Sequence, residues 1–210
     1  MTNEENKEIT RVSHDNIAQQ YYDEYHNDKT DLSYFDDFMI NCNSKILDLG
    51  CGMGHYSKYM KSKGFDVIGI DFSEGMINIA RRTNPDIEFI EADICNLPKS
   101  LDDDFDGVVL AFVLQHMSKE DAKKCLNGLH QHLKEKAQLL ILFRFGDKVV
   151  IEPEPFNSDF AYLIKEYTIN ELSQLLSECG YKVKKITRKP YINDPNSLVL
   201  TTAVIFAEKS

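Results

Sequence analysis

Asp48, Gly50, Gly52 and Gly54 occupy alternate positions in DLGCGMG, directly behind the apolar residues Ile46, Leu47 and Leu49. Glycines spaced this way let the backbone turn tightly and come close to a ligand, because no Cβ stands between them. A second apolar run, 67–70, ends on Asp71, whose carboxylate at a strand tip is placed to accept hydrogen bonds from the hydroxyls of a ribose. A helical pattern lies between the two runs. The stretch 45–71 therefore reads as strand, glycine loop, helix, strand, a unit that holds a nucleotide-like ligand at the carboxyl end of its first strand. Asp48, inside the apolar run, requires a partner, since a buried unpaired carboxylate costs several kcal/mol; the loop amides or the ligand can supply it. A dinucleotide fingerprint, G-x-G-x-x-G, would need glycine at His55 or Ser57, and neither is one.

The spacing D-x-G-x-G-x-G resembles the first motif of the class I S-adenosylmethionine-dependent methyltransferases of small-molecule type. Two further signals follow in order: Glu91, Ala92 and Asp93 close a third apolar run, and FDGVVLAFVLQHM, 105–117, is similar to that family's fourth strand. The resemblance covers roughly residues 13–209 and implies S-adenosyl-L-methionine as cofactor. It also implies a Rossmann-like three-layer α-β-α sandwich, with a seven-stranded mostly parallel sheet of order 3-2-1-4-5-7-6 whose last strand is antiparallel. By the same analogy Asp48 and Gly50 lie near the methionine moiety, Gly52 and Gly54 are backbone-approach positions, and Asp71 holds the ribose. Phe72 and Met76 flank the adenine, Met76 having core packing as its alternative, and Phe112 joins the cofactor contacts. Asp93 reaches the adenine amino group, with the Ile94 amide on a ring nitrogen; an amino group only donates and an ionised carboxylate only accepts, so that contact is specific. His116 falls near the methyl-transfer centre, and imidazole is suited to take a proton near neutral pH. The alternative is a histidine at a helix start that bonds a neighbouring loop. Tyr21, and one turn on Tyr25, face the methionine end or the substrate, or else only pack their helix on the sheet.

The elements that position these residues can be read in order. Residues 1–12 are expected to be a frayed tail, since nothing there buries area. From Ser13, a candidate N-cap, Ile17, Ala18, Tyr21, Tyr22 and Tyr25 set a helix of three turns, and Leu32, Phe35, Phe38 and Met39 mark a second; 13–40 forms a helical lid. Gly64 ends the helix after the glycine loop, and Ser73 caps the next one. The run 108–114 is a central strand buried on both faces. Ser118 with Asp121 opens a helix carrying Ala122, Cys125, Leu126, Leu129 and Leu133, and 138–143 is the fifth strand. The segment 145–167 shows no regular period but is rich in aromatics, Phe156 and Tyr162 among them. A connection this long is usually functional or disordered, and its aromatic content favours a substrate cap. Arg144 at its root either anchors an acidic substrate group or pairs with Glu152 or Glu154. Thr168 and Glu171 form a capping box, and two strands, 181–187 and 198–207, end the chain.

Length and charge bound the rest. The chain of 210 residues suits one domain, and 24 basic against 34 acidic residues give a net charge of −10, which repels a phosphate backbone. Lys182, Lys184, Lys185, Arg188 and Lys189 alternate along a strand and read as a solvated face. No nucleic acid is expected as partner, and no membrane, because no apolar run approaches the roughly 20 residues a span requires. Five scattered cysteines without a C-x-x-C pair or metal-ligand spacing suit a reducing cytoplasm and no metal. The expected activity is methyl transfer to an O, N, S or C atom of a small molecule. A catalytically silent cofactor-binding module and a dinucleotide-dependent oxidoreductase are the alternatives, and the sequence does not specify an oligomeric state.

Overall fold

In the computed structural model, which describes residues 2–191 and 200–210, the chain begins with α1 (Asn3–Tyr25) and α2 (Leu32–Met39). Alternating strands and helices follow: β1 (Lys45–Leu49), α3 (His55–Ser62), β2 (Asp66–Asp71), α4 (Glu74–Thr83), β3 (Glu88–Glu91), β4 (Phe105–Ala111), α5 (Lys119–His130) and β5 (Leu133–Arg144). The chain then makes β6 (Val149–Glu154), β7 (Asn157–Lys165), α6 (Ile169–Glu178), β8 (Tyr181–Tyr191) and β9 (Leu200–Lys209).

Seven strands form one sheet of order β3-β2-β1-β4-β5-β9-β8. The first five are parallel, and β9 runs antiparallel to both β5 and β8. With β6 and β7 set aside, this is the order 3-2-1-4-5-7-6 implied by the resemblance. Side chains alternate across a strand, so β1 sends Leu47 and Leu49 to one face and Ile46 to the other. The first face packs on α5 and α6 through Leu126, Leu129, Leu172 and Leu176; the second packs on α2, α3 and α4 through Phe35, Phe38, Met60 and Ile77. A third apolar group, Ile17, Ala18, Met53, Met76 and Ile79, seats α1 against α4.

Several expectations are corrected. The frayed tail expected over residues 1–12 is, among the described residues from Thr2 onward, helical: Thr2 accepts from the Glu5 amide at 3.2 Å while Glu5 accepts from the Thr2 amide at 2.7 Å, a capping box that starts α1 at Asn3. Asn6 then fixes the helix to β7, receiving the Leu163 amide at 2.7 Å, and Thr10 is 2% exposed. Ser13 is consequently a buried mid-helix residue, not a cap. The segment 145–167 is not irregular either. β6 and β7 pair antiparallel, with Glu152 opposite Tyr162 and Ile151 opposite Leu163. Pro153 is carried on the edge strand, where a missing N–H is tolerated. Leu133 opens β5 instead of closing α5, and β5 runs five residues further back than 138.

Candidate functional site

A cavity of about 480 Å³ lies over the carboxyl ends of β1, β2 and β4 and is roofed by α1 and the β6–β7 hairpin. Its floor is the glycine loop. The Gly50 and Cys51 amides donate to the Ile70 carbonyl at 2.7 and 3.0 Å, which ties the loop to the end of β2. Gly52 has φ +52°, and no atom lies within 4 Å of the place where a Cβ would stand, so its backbone is bare toward the cavity.

Asp71 is 8% exposed and lines the cavity beside this loop. Its two oxygens accept from the Gly52 and Ser73 amides, each at 2.9 Å. Each oxygen keeps a second acceptor site for a ligand hydroxyl. Burial pushes its carboxyl upward, and hydrogen bonds from Ser73 and Gly52 together with the nearby His14 ring oppose that rise. Phe72, Met76 and Ile94 line the same region. Phe112, at φ 60° and so in the left-handed region that a bulky residue rarely adopts, turns the chain at the end of β4 and also lines the cavity.

Asp93 lines the cavity as well, but its Oδ2 already receives Lys7 Nζ at 2.5 Å. Burial works against ionisation there, yet the Lys7 ammonium, the Cys95 amide and the Asn96 side chain outweigh it and hold the carboxyl below its ordinary range. Arg144 is occupied too: its two terminal nitrogens grip Glu152 at 2.7 and 2.9 Å, and Glu166 lies 3.5 Å away. Of its two expected roles, the ion pair with Glu152 is therefore the one observed. His116 and Tyr162 face each other with ring centroids 5.3 Å apart, and both line the cavity. The His116 Nδ1 is buried without a hydrogen-bond partner, and burial pushes the imidazole down to about 3, with His14 and Arg144 adding to the effect. The ring is therefore uncharged near neutral pH. Tyr21, Tyr25 and Phe156 join α1 to the hairpin tip, with centroids 4.7, 6.2 and 6.0 Å apart.

Two expected contacts lie outside the cavity. Asp48 is 1% exposed beneath the loop and accepts from the Ser57 hydroxyl at 2.5 Å, so the partner seen here comes from α3 and not from the loop amides. Gly54 supports packing: a Cβ there would stand 2.7 Å from the Phe89 ring. Conversely, Lys7 and His14 line the cavity although the sequence reading passed over them. The signal was present, because 7, 14 and 21 fall two helical turns apart on the face that carries Tyr21. Glu154 was expected only as an alternative partner for Arg144, which takes Glu152 instead; Glu154 is 4% exposed and lines the cavity.

Comparison with known proteins follows from this geometry. Residues 46–136 match the family model described as a methyltransferase domain. The chain is 32% identical over 130 residues to demethylmenaquinone methyltransferase of Renibacterium salmoninarum, covering 61% of this chain and 49% of that protein. It is 30% identical over 156 residues to phosphoethanolamine N-methyltransferase of Plasmodium falciparum, covering 70% and 56%. The chain thus spans about half the length of these curated relatives. Among solved structures, the Burkholderia thailandensis 1,6-didemethyltoxoflavin-N1-methyltransferase aligns with a TM-score of 0.78 at 18% identity, covering 100% of this chain and 91% of that one. A likeness at that identity speaks to the fold.

Proposed function

We propose that this chain is a class I S-adenosylmethionine-dependent methyltransferase, a reading supported by the family match over residues 46–136 and by the sheet order, and that it moves a methyl group from S-adenosylmethionine to a small-molecule acceptor bound under α1 and the hairpin. The observation that carries this reading is the single cavity shared by the bare Gly52 backbone, Asp71 and Asp93 at one end and by the hairpin at the other. Its volume, about 480 Å³, falls within the range of about 300–1,000 Å³ common for small-ligand sites.

The residues fit a nucleoside. Asp71 offers ribose hydroxyls its two remaining acceptor positions, Phe72 and Met76 supply apolar faces for a base, and Asp93 with the Ile94 amide stands at the base's polar edge. Lys7 must yield Asp93 for that contact to form. Phe112 and Gly50 would border the methionine portion, with Tyr21 above them. Asp48 acts indirectly, by holding α3 under the loop through Ser57.

When bound, the cofactor supplies an already activated methyl group. The protein's share is then alignment, which can contribute about 7–11 kcal/mol, and exclusion of water while charge is neutralised. α1 and the hairpin meet at Tyr21, Tyr25 and Phe156 and close the site from above. An uncharged His116 accepts a hydrogen bond from the acceptor and orients it, which suits its lowered basicity better than storing a proton. The curated relatives named above act, by their names, on a quinone precursor and on an amine, so they leave the acceptor to this chain's own geometry.

Calorimetry with S-adenosylhomocysteine, S-adenosylmethionine and NAD tests the reading. Binding of the first two and not the third is expected, with release of S-adenosylhomocysteine on addition of acceptors. Binding of NAD alone would return the dinucleotide alternative, and binding without turnover across acceptor classes the silent module.

A further inference from the structure

Resting on the methyl-transfer reading, we propose that the acceptor carries an amine whose cationic form docks against Glu154, beside a wall made by the rings of Tyr21, Tyr25 and Phe156. Glu154 hangs from the hairpin into the cavity and is 4% exposed. The Tyr162 hydroxyl donates to its Oε2 at 2.8 Å and the Phe156 amide to its Oε1 at 3.2 Å. Neither donor carries a full charge, and among the described residues no cation pairs with Glu154. A buried carboxylate in that position calls for a positive partner.

The cavity's own cations do not provide one. Lys7 is paired with Asp93, Arg144 with Glu152 and Glu166, and Lys165 with Glu171. Burial lowers the three histidines that line the cavity: His55, at about 4, and His116, at about 3, are uncharged near neutral pH, and at His14 burial works against the charged form while Asp71, Glu154 and Asp15 oppose that effect. An acceptor recognised through a carboxylate or phosphate would find every one of these lysines and arginines engaged and Glu154 opposing it. An ammonium meets the reverse situation. Glu154 attracts it, and the electron-rich faces of the neighbouring aromatic rings attract it too.

The assignment also places the acceptor's nitrogen sensibly for transfer. Asp71 rises from a strand tip and Glu154 descends from the roof, while His14 stands close enough to feel both charges. A nitrogen held at Glu154 faces the cofactor from the opposite side of the cavity. Beside a sulfonium an ammonium gives up a proton more readily, because like charges disfavour each other. That proton passes to the Glu154 carboxylate. The freed lone pair forms the new N–C bond as the C–S bond breaks and its electrons return to sulfur. One positive charge leaves sulfur and one appears on nitrogen. Once Glu154 releases its proton to water, the product ammonium pairs with the carboxylate again.

The test uses full-length protein saturated with S-adenosylhomocysteine. Calorimetry compares tetramethylammonium chloride with tert-butanol, which has a similar shape and no charge. Tetramethylammonium is expected to bind at least tenfold tighter, and Glu154→Gln, which keeps an acceptor oxygen for Tyr162, should erase that preference. Tyr25→Leu should weaken the cation threefold or more; should Glu154→Gln fail to fold, this variant and the wild-type comparison decide the matter. Turnover on primary and secondary amines, and not on phenols or carboxylates, is the matching kinetic result. Equal binding of cation and alcohol, or a preference unchanged in both variants, overturns the acceptor assignment. Absence of S-adenosylhomocysteine binding in the wild type instead overturns the methyl-transfer reading beneath it.

Discussion

Two buried aspartates on the neighbouring strands β1 and β2, Asp48 and Asp71, have separate physical jobs. Asp71 lines the cavity with spare acceptor capacity, and on the proposed reading it meets the ribose; Asp71→Ala is expected to weaken S-adenosylmethionine binding at least tenfold by calorimetry, and an unchanged affinity would withdraw the assignment. Asp48 does not line the cavity, and its burial pushes the carboxyl up to about 7, against the lowering effect of the Ser57 hydroxyl. An unfolded aspartate titrates near 4. Between about pH 4 and pH 7 the folded protein therefore holds a proton that the unfolded chain lacks. Its contribution to stability is present below that window and declines as pH rises through it, by up to about 1.4 kcal/mol per unit. Asp48→Asn keeps an acceptor for Ser57 and cannot ionise, so urea midpoints should show a smaller loss from pH 5 to pH 8 than in the wild type. Parallel curves for the two proteins would contradict this.

At the scale of elements, α1 is clamped at three points along its length. Lys7 reaches Asp93, Asn6 joins β7, and Asp15 Oδ1 accepts from the Ser73 hydroxyl at 2.7 Å and the Gly75 amide at 3.0 Å. The last contact depends on close approach: a Cβ on Gly75 would lie 2.6 Å from the Asp15 carbonyl oxygen. Backbone cannot yield there as a side chain's end can. Gly75→Ala is accordingly expected to lift α1, to speed tryptic cleavage at Lys7 and Arg11, and to weaken S-adenosylhomocysteine binding several-fold while the sheet stays folded. Unaltered cleavage would show that α1 is held by its other contacts alone. The hairpin has the same dependence on neighbours. Val149 and Ile151 are 58% and 61% exposed, so the alternation that announces a half-buried strand is weak, and 145–167 reads as irregular until Arg144, Tyr162 and Asn6 are seen to hold it.

For the molecule as a whole, a ligand that binds the folded state alone adds stability by mass action, about 2.7 kcal/mol at one hundred times its dissociation constant. Since α1 and the hairpin roof one cavity, S-adenosylhomocysteine should slow amide exchange in both together, whereas protection confined to the glycine loop would argue that the roof takes no part. The glycine loop and Asp71 at a strand tip were legible in the sequence through local rules, apolar runs and glycine spacing, whereas the sheet order and the placing of Phe72, Met76 and Asp93 beside the cavity came from the family resemblance. What local rules do not carry is which side chains meet. Lys7 on Asp93 joins segments distant in the chain, the choice of Glu152 by Arg144 waits on the hairpin, and the absence of a cation beside Glu154 among the described residues depends on how α1 and the hairpin settle over the sheet. The sequence by itself determined a βαβ unit with a glycine loop and an aspartate at each strand; the tertiary structure alone decided which charges above that loop pair with one another and which, among the described residues, do not, because those pairings form between elements that only folding brings together.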